Sequence, residues 1–234
     1  MVSTRSGRGH GVNTVLVFDL NETLLDLSSL DVVFSRLFGD PQTRKMWFRQ
    51  VVELFMTATI IDDYQSFDKL SENALEMLAS ARGVELTDAQ RADLRQALGT
   101  LPAHPDVRPG LERLLVAGFR IFTLTNSTEK AATALIEQAG LSDTIERILS
   151  VDAIHRYKPA REAYEYAAEE LGVPLSQMRL VAAHSWDVAG ALKAGCAAAF
   201  VARPEKALSR DGPQPDLAVR DIAELADRLI GPKH

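Results

Sequence analysis

The ten residues TVLVFDLNET (Thr14–Thr23) decide the fold. A nearly unbroken apolar run ends abruptly in a carboxylate, Asp19. Alternation of polar and apolar residues is missing, as expected of a strand buried on both faces of a parallel sheet. An acid just past such a strand lies at its carboxyl end, where open parallel sheets gather their reactive groups. Runs of the same kind recur at Arg120–Leu124 (RIFTL), Glu146–Ser150 (ERILS), Arg179–Ala183 (RLVAA) and Ala197–Ala202 (AAAFVA). Helical segments separate them, each closed by a glycine: Gly118, Gly140, Gly172 and Gly195. Pro109 marks the start of the first, and Ser127 or Thr128 is the expected cap of the second. This alternation predicts an α/β fold with a doubly wound parallel sheet.

One segment breaks the rhythm. Residues 28–105 contain only helical periodicity, so an all-helical cap subdomain is expected to interrupt an α/β core made of residues 13–27 and 106–234. Residues 1–12 are basic and rich in small residues, and read as a disordered tail. The short run Val15–Phe18 is too brief for a signal-peptide core, and nothing approaches the roughly 20 apolar residues of a membrane span. A cytoplasmic protein with no membrane and no nucleic-acid partner is expected, the latter because the net charge is −6. The single cysteine, Cys196, excludes an internal disulfide and reads as a small core residue.

The residues past the four strand ends carry the chemistry: Asp19, then Thr125 and Asn126, then Lys158 in YKPA, then Asp187 in AHSWD. Each alone has a bland reading as a cap, a turn or a solvated lysine. Together, in this order and on this plan, they resemble the four motifs of the haloacid dehalogenase superfamily. The matching stretches are FDLNETL, LTN, YKP and HSWDVAGA. LTNS, the Lys-Pro pair followed by Tyr164, and WDVAGA most resemble the L-2-haloacid dehalogenases (type II).

The resemblance covers about residues 15–230 and implies a Rossmann-like core with an inserted helical cap. It implies that Asp19 attacks C2 of a short 2-haloalkanoic acid, that halide leaves, and that water then cleaves the aspartyl ester to give the 2-hydroxy acid. Lys158 would keep Asp19 ionised and help hold the substrate carboxylate, Thr125 would bond that carboxylate, and Thr23 would fix Asp19. Asp187 would orient Lys158 and help activate water, with Tyr164 in support. Leu20, Asn21, Asn126 and Trp186 would line the substrate, Asn126 touching the departing halide. Neither a cofactor nor a metal is called for, the partner is a small-molecule carboxylate, and a homodimer is compatible with the family.

Several positions depart from the pattern. The family carries a halide-side arginine immediately after a cap tryptophan; here Trp47 is followed by Phe48, expected as apolar substrate lining, and the candidate cation Arg49 is one place further, about 100° around a helix. Ala182 stands where a serine is usual, and His184 replaces an amide that helps hold the hydrolytic water. A histidine there can bond that water or act as a base near neutral pH. Two alternatives stay open. A Mg-dependent phosphatase of the same superfamily acting on a small phosphorylated metabolite needs a second acid two residues after the nucleophile, where this chain has Asn21. A non-catalytic module has no reason to keep Asp19, Lys158 and Asp187 together.

Overall fold

The computed structural model describes residues 14–231. The tail read from residues 1–12 lies outside them. Six parallel strands form one sheet in the order β3-β2-β1-β4-β5-β6. They are β1 Val15–Phe18, β2 Arg120–Thr125, β3 Arg147–Ser150, β4 Met178–Ala182, β5 Ala197–Val201 and β6 Leu217–Val219. Every residue of β1 is buried, which is why the run needs no polar alternation. Phe18 pairs with Thr123 on one side and Val181 on the other. The chain winds outward from β1 through β2 to β3, then returns to start again at β4 beside β1. This reversal puts the switch point of the sheet, the usual place for a ligand crevice, at the carboxyl end of β1.

Helices α1 Asp31–Phe38, α2 Thr43–Ile60, α3 Phe67–Ala81 and α4 Asp88–Leu98 intervene between β1 and β2. A reciprocal capping box between Thr87 and Gln90 starts α4. The Trp47 indole N–H donates to the Ser71 carbonyl at 2.9 Å, tying α2 to α3 inside the apolar interior. The remaining helices flank the sheet: α5 Val107–Val116, α6 Glu129–Gln138, α7 Arg161–Leu171, α8 Ser185–Ala194 and α9 Ile222–Ile230. One apolar cluster runs without a break from the sheet (Leu16, Phe122, Leu180) into the inserted helices (Phe34, Trp47, Phe55).

Four hydrogen bonds fasten the far end of the insert to the loop after β3, one of them from the Tyr157 N–H to the Thr59 hydroxyl at 3.2 Å. Tyr64 donates to Asp152 at 2.5 Å, Tyr157 to the Gln65 carbonyl at 2.6 Å, and Arg156 to the Thr59 carbonyl at 2.9 Å. The structure differs from the expectations at element edges. The third long strand is shifted one residue toward the N-terminus, ending at Ala182, so that the Ala183 N–H leaves the ladder and donates to the Thr23 hydroxyl. The edge strand β6 is an apolar run of only three residues, LAV, too short to announce a strand. Thr128, not Ser127, caps α6, accepting from the Ala131 N–H.

Candidate active site

Asp19 follows β1 directly, and its own N–H donates to the Val181 carbonyl of β4 at 3.0 Å. The carboxylate is therefore anchored to two central strands. Its oxygens are held unequally. Oδ1 accepts one hydrogen bond, from Lys158 Nζ at 2.8 Å. Oδ2 faces two groups, the Thr23 hydroxyl at 2.6 Å and His184 Nδ1 at 3.1 Å. The Ala183 N–H donates to the Thr23 oxygen at 2.9 Å, which turns the hydroxyl proton toward Asp19.

Lys158 is fully buried, and its three N–H donors are all engaged. One goes to Asp19, one to the Leu124 carbonyl at 2.8 Å and one to Asp187 Oδ2 at 2.7 Å. Removing an ammonium from water is costly unless its partners are this close and this complete. Burial alone would lower the Lys158 pKa, but the charges of Asp187 and Asp19 outweigh it and hold the group protonated. Burial likewise would raise Asp19, yet the Lys158 charge and the His184 hydrogen bond hold its carboxyl well below the usual carboxylate range. Burial and the neighbouring Asp19 charge push Asp187 up. Tyr164 donates to Asp187 Oδ1 at 2.7 Å; burial first and this acid second raise its phenol far above an ordinary tyrosine.

His184, at the carboxyl end of β4, is buried between two acids. Its Nε2 lies 3.0 Å from Glu22 Oε2, opposite the contact to Asp19. The ring stacks against Trp186 at 4.9 Å and Phe48 at 5.8 Å. Burial alone would lower the imidazole, but the hydrogen bonds to Asp19 and Glu22 lift it to about 9. Glu22 in turn receives Lys206 and, at 3.5 Å, Arg44. Despite its burial, the pairing with His184 and Lys206 brings Glu22 down to about 2. Glu22 adopts a left-handed backbone, φ 61°, unusual for a residue with a Cβ and a sign that the turn is shaped by its site.

Most of the expected site residues converge here: Asp19, Thr23, Lys158, Tyr164, His184 and Asp187 form one hydrogen-bonded cluster, with Trp186 and Phe48 as its aromatic walls. Others are placed differently. Thr125 is buried at the end of β2 and accepts from the Ser127 N–H at 3.1 Å. Asn126 is turned onto the backbone of Lys158, accepting its N–H at 3.0 Å, and so positions the lysine loop. Asn21 donates to the Ser127 hydroxyl at 3.2 Å. Leu20 is completely buried in the apolar core.

The one-place offset after Trp47 is visible in α2. Phe48 points inward to His184, while Arg49 is exposed and makes no ion pair among the described residues. Arg49 lines a cavity of about 290 Å³ together with Glu22, Arg44, Phe48 and Lys206. Asn21 faces a second, larger cavity of about 620 Å³, walled by Phe67, Leu94 and Leu101. The Asn21–Glu22 pair thus divides the two spaces just beyond Asp19. Sequence reading missed Glu22, Arg44 and Lys206. A signal existed for the last, since the ARPEK segment follows the carboxyl end of β5 as the other sites follow their strands.

The model of the haloacid dehalogenase-like hydrolases matches residues 14–195 of this chain. The chain belongs to that family. Among its curated relatives is the (S)-2-haloacid dehalogenase of Xanthobacter autotrophicus, 30% identical over 200 residues, 84% of this chain and 78% of that protein. The (S)-2-haloacid dehalogenase of Pseudomonas sp. (strain YL) is 27% identical over 221 residues, 92% of this chain and 95% of its own. Among solved structures, the Xanthobacter autotrophicus L-2-haloacid dehalogenase with chloropropionic acid covalently bound superposes with a TM-score of 0.86. It is 25% identical, over 94% of this chain and 99% of that one. The six-stranded parallel sheet with its flanking helices is the fold of the family. Among the described residues no helix is long and apolar enough to cross a membrane.

Proposed function

We propose that this hydrolase is a dehalogenase of short-chain 2-haloalkanoic acids working through an ester on Asp19. The observation that carries the reading is the unequal hold on the Asp19 carboxylate. Oδ1 keeps a free lone pair beside a single donor, Lys158, whereas Oδ2 is occupied by two groups. Oδ1 attacks C2, the C–halogen bond breaks, and halide leaves with the bonding pair. Rigid anchoring of Asp19 to β1 and β4 favours in-line attack. Asn21 supports a leaving group that needs no proton, since an amide has none to transfer.

Thr125 and the lysine loop take the substrate carboxylate, with Lys158 supplying positive charge. Because the Lys158 protons are all engaged within the protein, its share is electrostatic until substrate displaces one of its bonds. Asp187 and Tyr164 orient Lys158, and Asp187 helps place the hydrolytic water. Phe48 and Trp186 wall the site, Leu20, Asn21 and Asn126 shape its floor, and Arg49 is a cap cation lining the adjoining cavity. The division into a core of residues 13–27 and 106–234 and a cap of residues 28–105 gives the cap this closing role. A cytoplasmic homodimer completes the reading.

The test is halide release from L- and D-2-chloropropionate, with and without EDTA, beside a screen of phosphate esters. EDTA-insensitive halide release is expected, and its loss by roughly 10⁴-fold or more in Asp19→Asn. Phosphate release that needs Mg²⁺, with no halide release, would overturn the proposal.

A further inference from the structure

We infer that His184, held as an imidazolium by Glu22, joins the Thr23 hydroxyl as the oxyanion site for hydrolysis of the Asp19 ester. This deepens the proposed function and rests on it. The geometry is specific to one oxygen. Once Oδ1 has bonded to C2, Oδ2 is the carbonyl oxygen of the ester. It already faces the Thr23 hydroxyl at 2.6 Å and His184 Nδ1 at 3.1 Å. Water then attacks Cγ, and the carbonyl π pair moves onto Oδ2, where these two donors meet the new negative charge. Collapse re-forms the carbonyl and breaks the Cγ–Oδ1 bond. Oδ1 departs with the product as its hydroxyl oxygen, taking one proton of the water. The second water proton is released as the Asp19 carboxylate is restored.

The protonation of His184 follows from its neighbours. A neutral imidazole has one N–H and would turn a lone pair toward a carboxylate on one side. His184 has a carboxylate on each side, Asp19 at the end of β1 and Glu22 in the turn beyond, so both nitrogens must donate. Its faces stack on Phe48 of α2 and Trp186 of α8, both uncharged. The other charges act at one remove, Lys158 and Asp187 behind Asp19, Lys206 and Arg44 behind Glu22. The ring is arranged to stabilise an anion and is poorly placed to take a proton from water. Glu22 acts through His184 and is a positioning residue. Its left-handed backbone and its anchors Lys206 and Arg44 aim the carboxylate at Nε2.

The experiment follows one turnover of (S)-2-chloropropionate, measuring halide by ion chromatography and the ester by intact-protein mass spectrometry. In His184→Phe, which keeps an aromatic ring but has no donor, the halide burst is expected to persist while ester hydrolysis slows about 10²–10³-fold, so that protein 72 Da heavier accumulates, the mass of C₃H₄O₂. In Glu22→Gln the ester-hydrolysis rate should begin to fall at lower pH than in the wild type, because the imidazolium loses the carboxylate that faces its Nε2. Glu22→Asp should restore much of the difference. Retained melting temperatures identify folded variants. Unchanged ester hydrolysis in His184→Phe overturns the inference, as does loss of the burst itself, which would put His184 in the first step. An unmoved alkaline limb in Glu22→Gln removes Glu22 from it. If the wild type gives no burst with any 2-haloacid, the proposed function fails first.

Discussion

Gly190 is a small residue on which two buried contacts depend. It lies where α8 passes the Lys158–Pro159 segment. A Cβ added there would come within 2.6 Å of the Pro159 Cβ and of the Tyr164 hydroxyl, and within 2.8 Å of the Pro159 carbonyl. No real side chain tolerates such distances, so Gly190→Ala must push the segment away or dislodge Tyr164. Tyr164 and Lys158 share Asp187, so either movement loosens the grip on Asp19. The variant is expected to lose about 1–3 kcal/mol of stability, the usual penalty of overpacking, and to lose turnover as well. Calorimetry and halide release check both. A variant melting and turning over like the wild type would show that the close approach is unimportant.

Among the elements, α2 works for both the cap and the site. Trp47 packs on Phe34 at 5.3 Å and bonds Ser71, while the next residue presents Phe48 to His184. Trp47→Ala should cost about 3–5 kcal/mol, the typical loss for a buried aromatic, visible as a lower denaturant midpoint. A loss below about 1 kcal/mol would mean that the insert repacks freely. The long strands were legible in the sequence because burial on both faces leaves continuous apolar runs. The edge strand β6 was not, since only Val219 of its three residues is buried. Strand-end reasoning located Asp19, Lys158 and Asp187, but not the second half of the site. Glu22, Arg44 and Lys206 come from a turn, a helix and a loop after β5, and charged residues in such places are usually solvated. Only the tertiary approach of these segments to His184 gives them a buried partner. Tertiary contact likewise gives Asn126 a backbone partner, the Lys158 N–H, that its place after β2 does not announce.

At the scale of the whole molecule, the His184–Glu22 pair links folding to pH. His184 rises from its ordinary value of 6.5 to about 9, so its contribution is full below 6.5 and is lost as pH climbs through 9. Glu22 falls from 4.5 to about 2, so its contribution is full above 4.5 and is lost as pH drops toward 2. Melting temperature should therefore hold a plateau between about 4.5 and 6.5 as far as this pair is concerned. His184→Asn should flatten the decline between 6.5 and 9; parallel declines in both proteins would contradict the assignment. The position of β1 has a different consequence, in time. Its two neighbours, β2 and β4, begin at Arg120 and Met178, far along the chain. At a synthesis rate of about 5–20 residues per second, β1 emerges roughly 5–20 s before the first strand that can pair with it. During that interval the most apolar stretch of the N-terminal region has no sheet to enter. A nascent chain stalled within the helical insert therefore exposes an unpaired strand, and chaperone capture of this protein should concentrate on chains of that length.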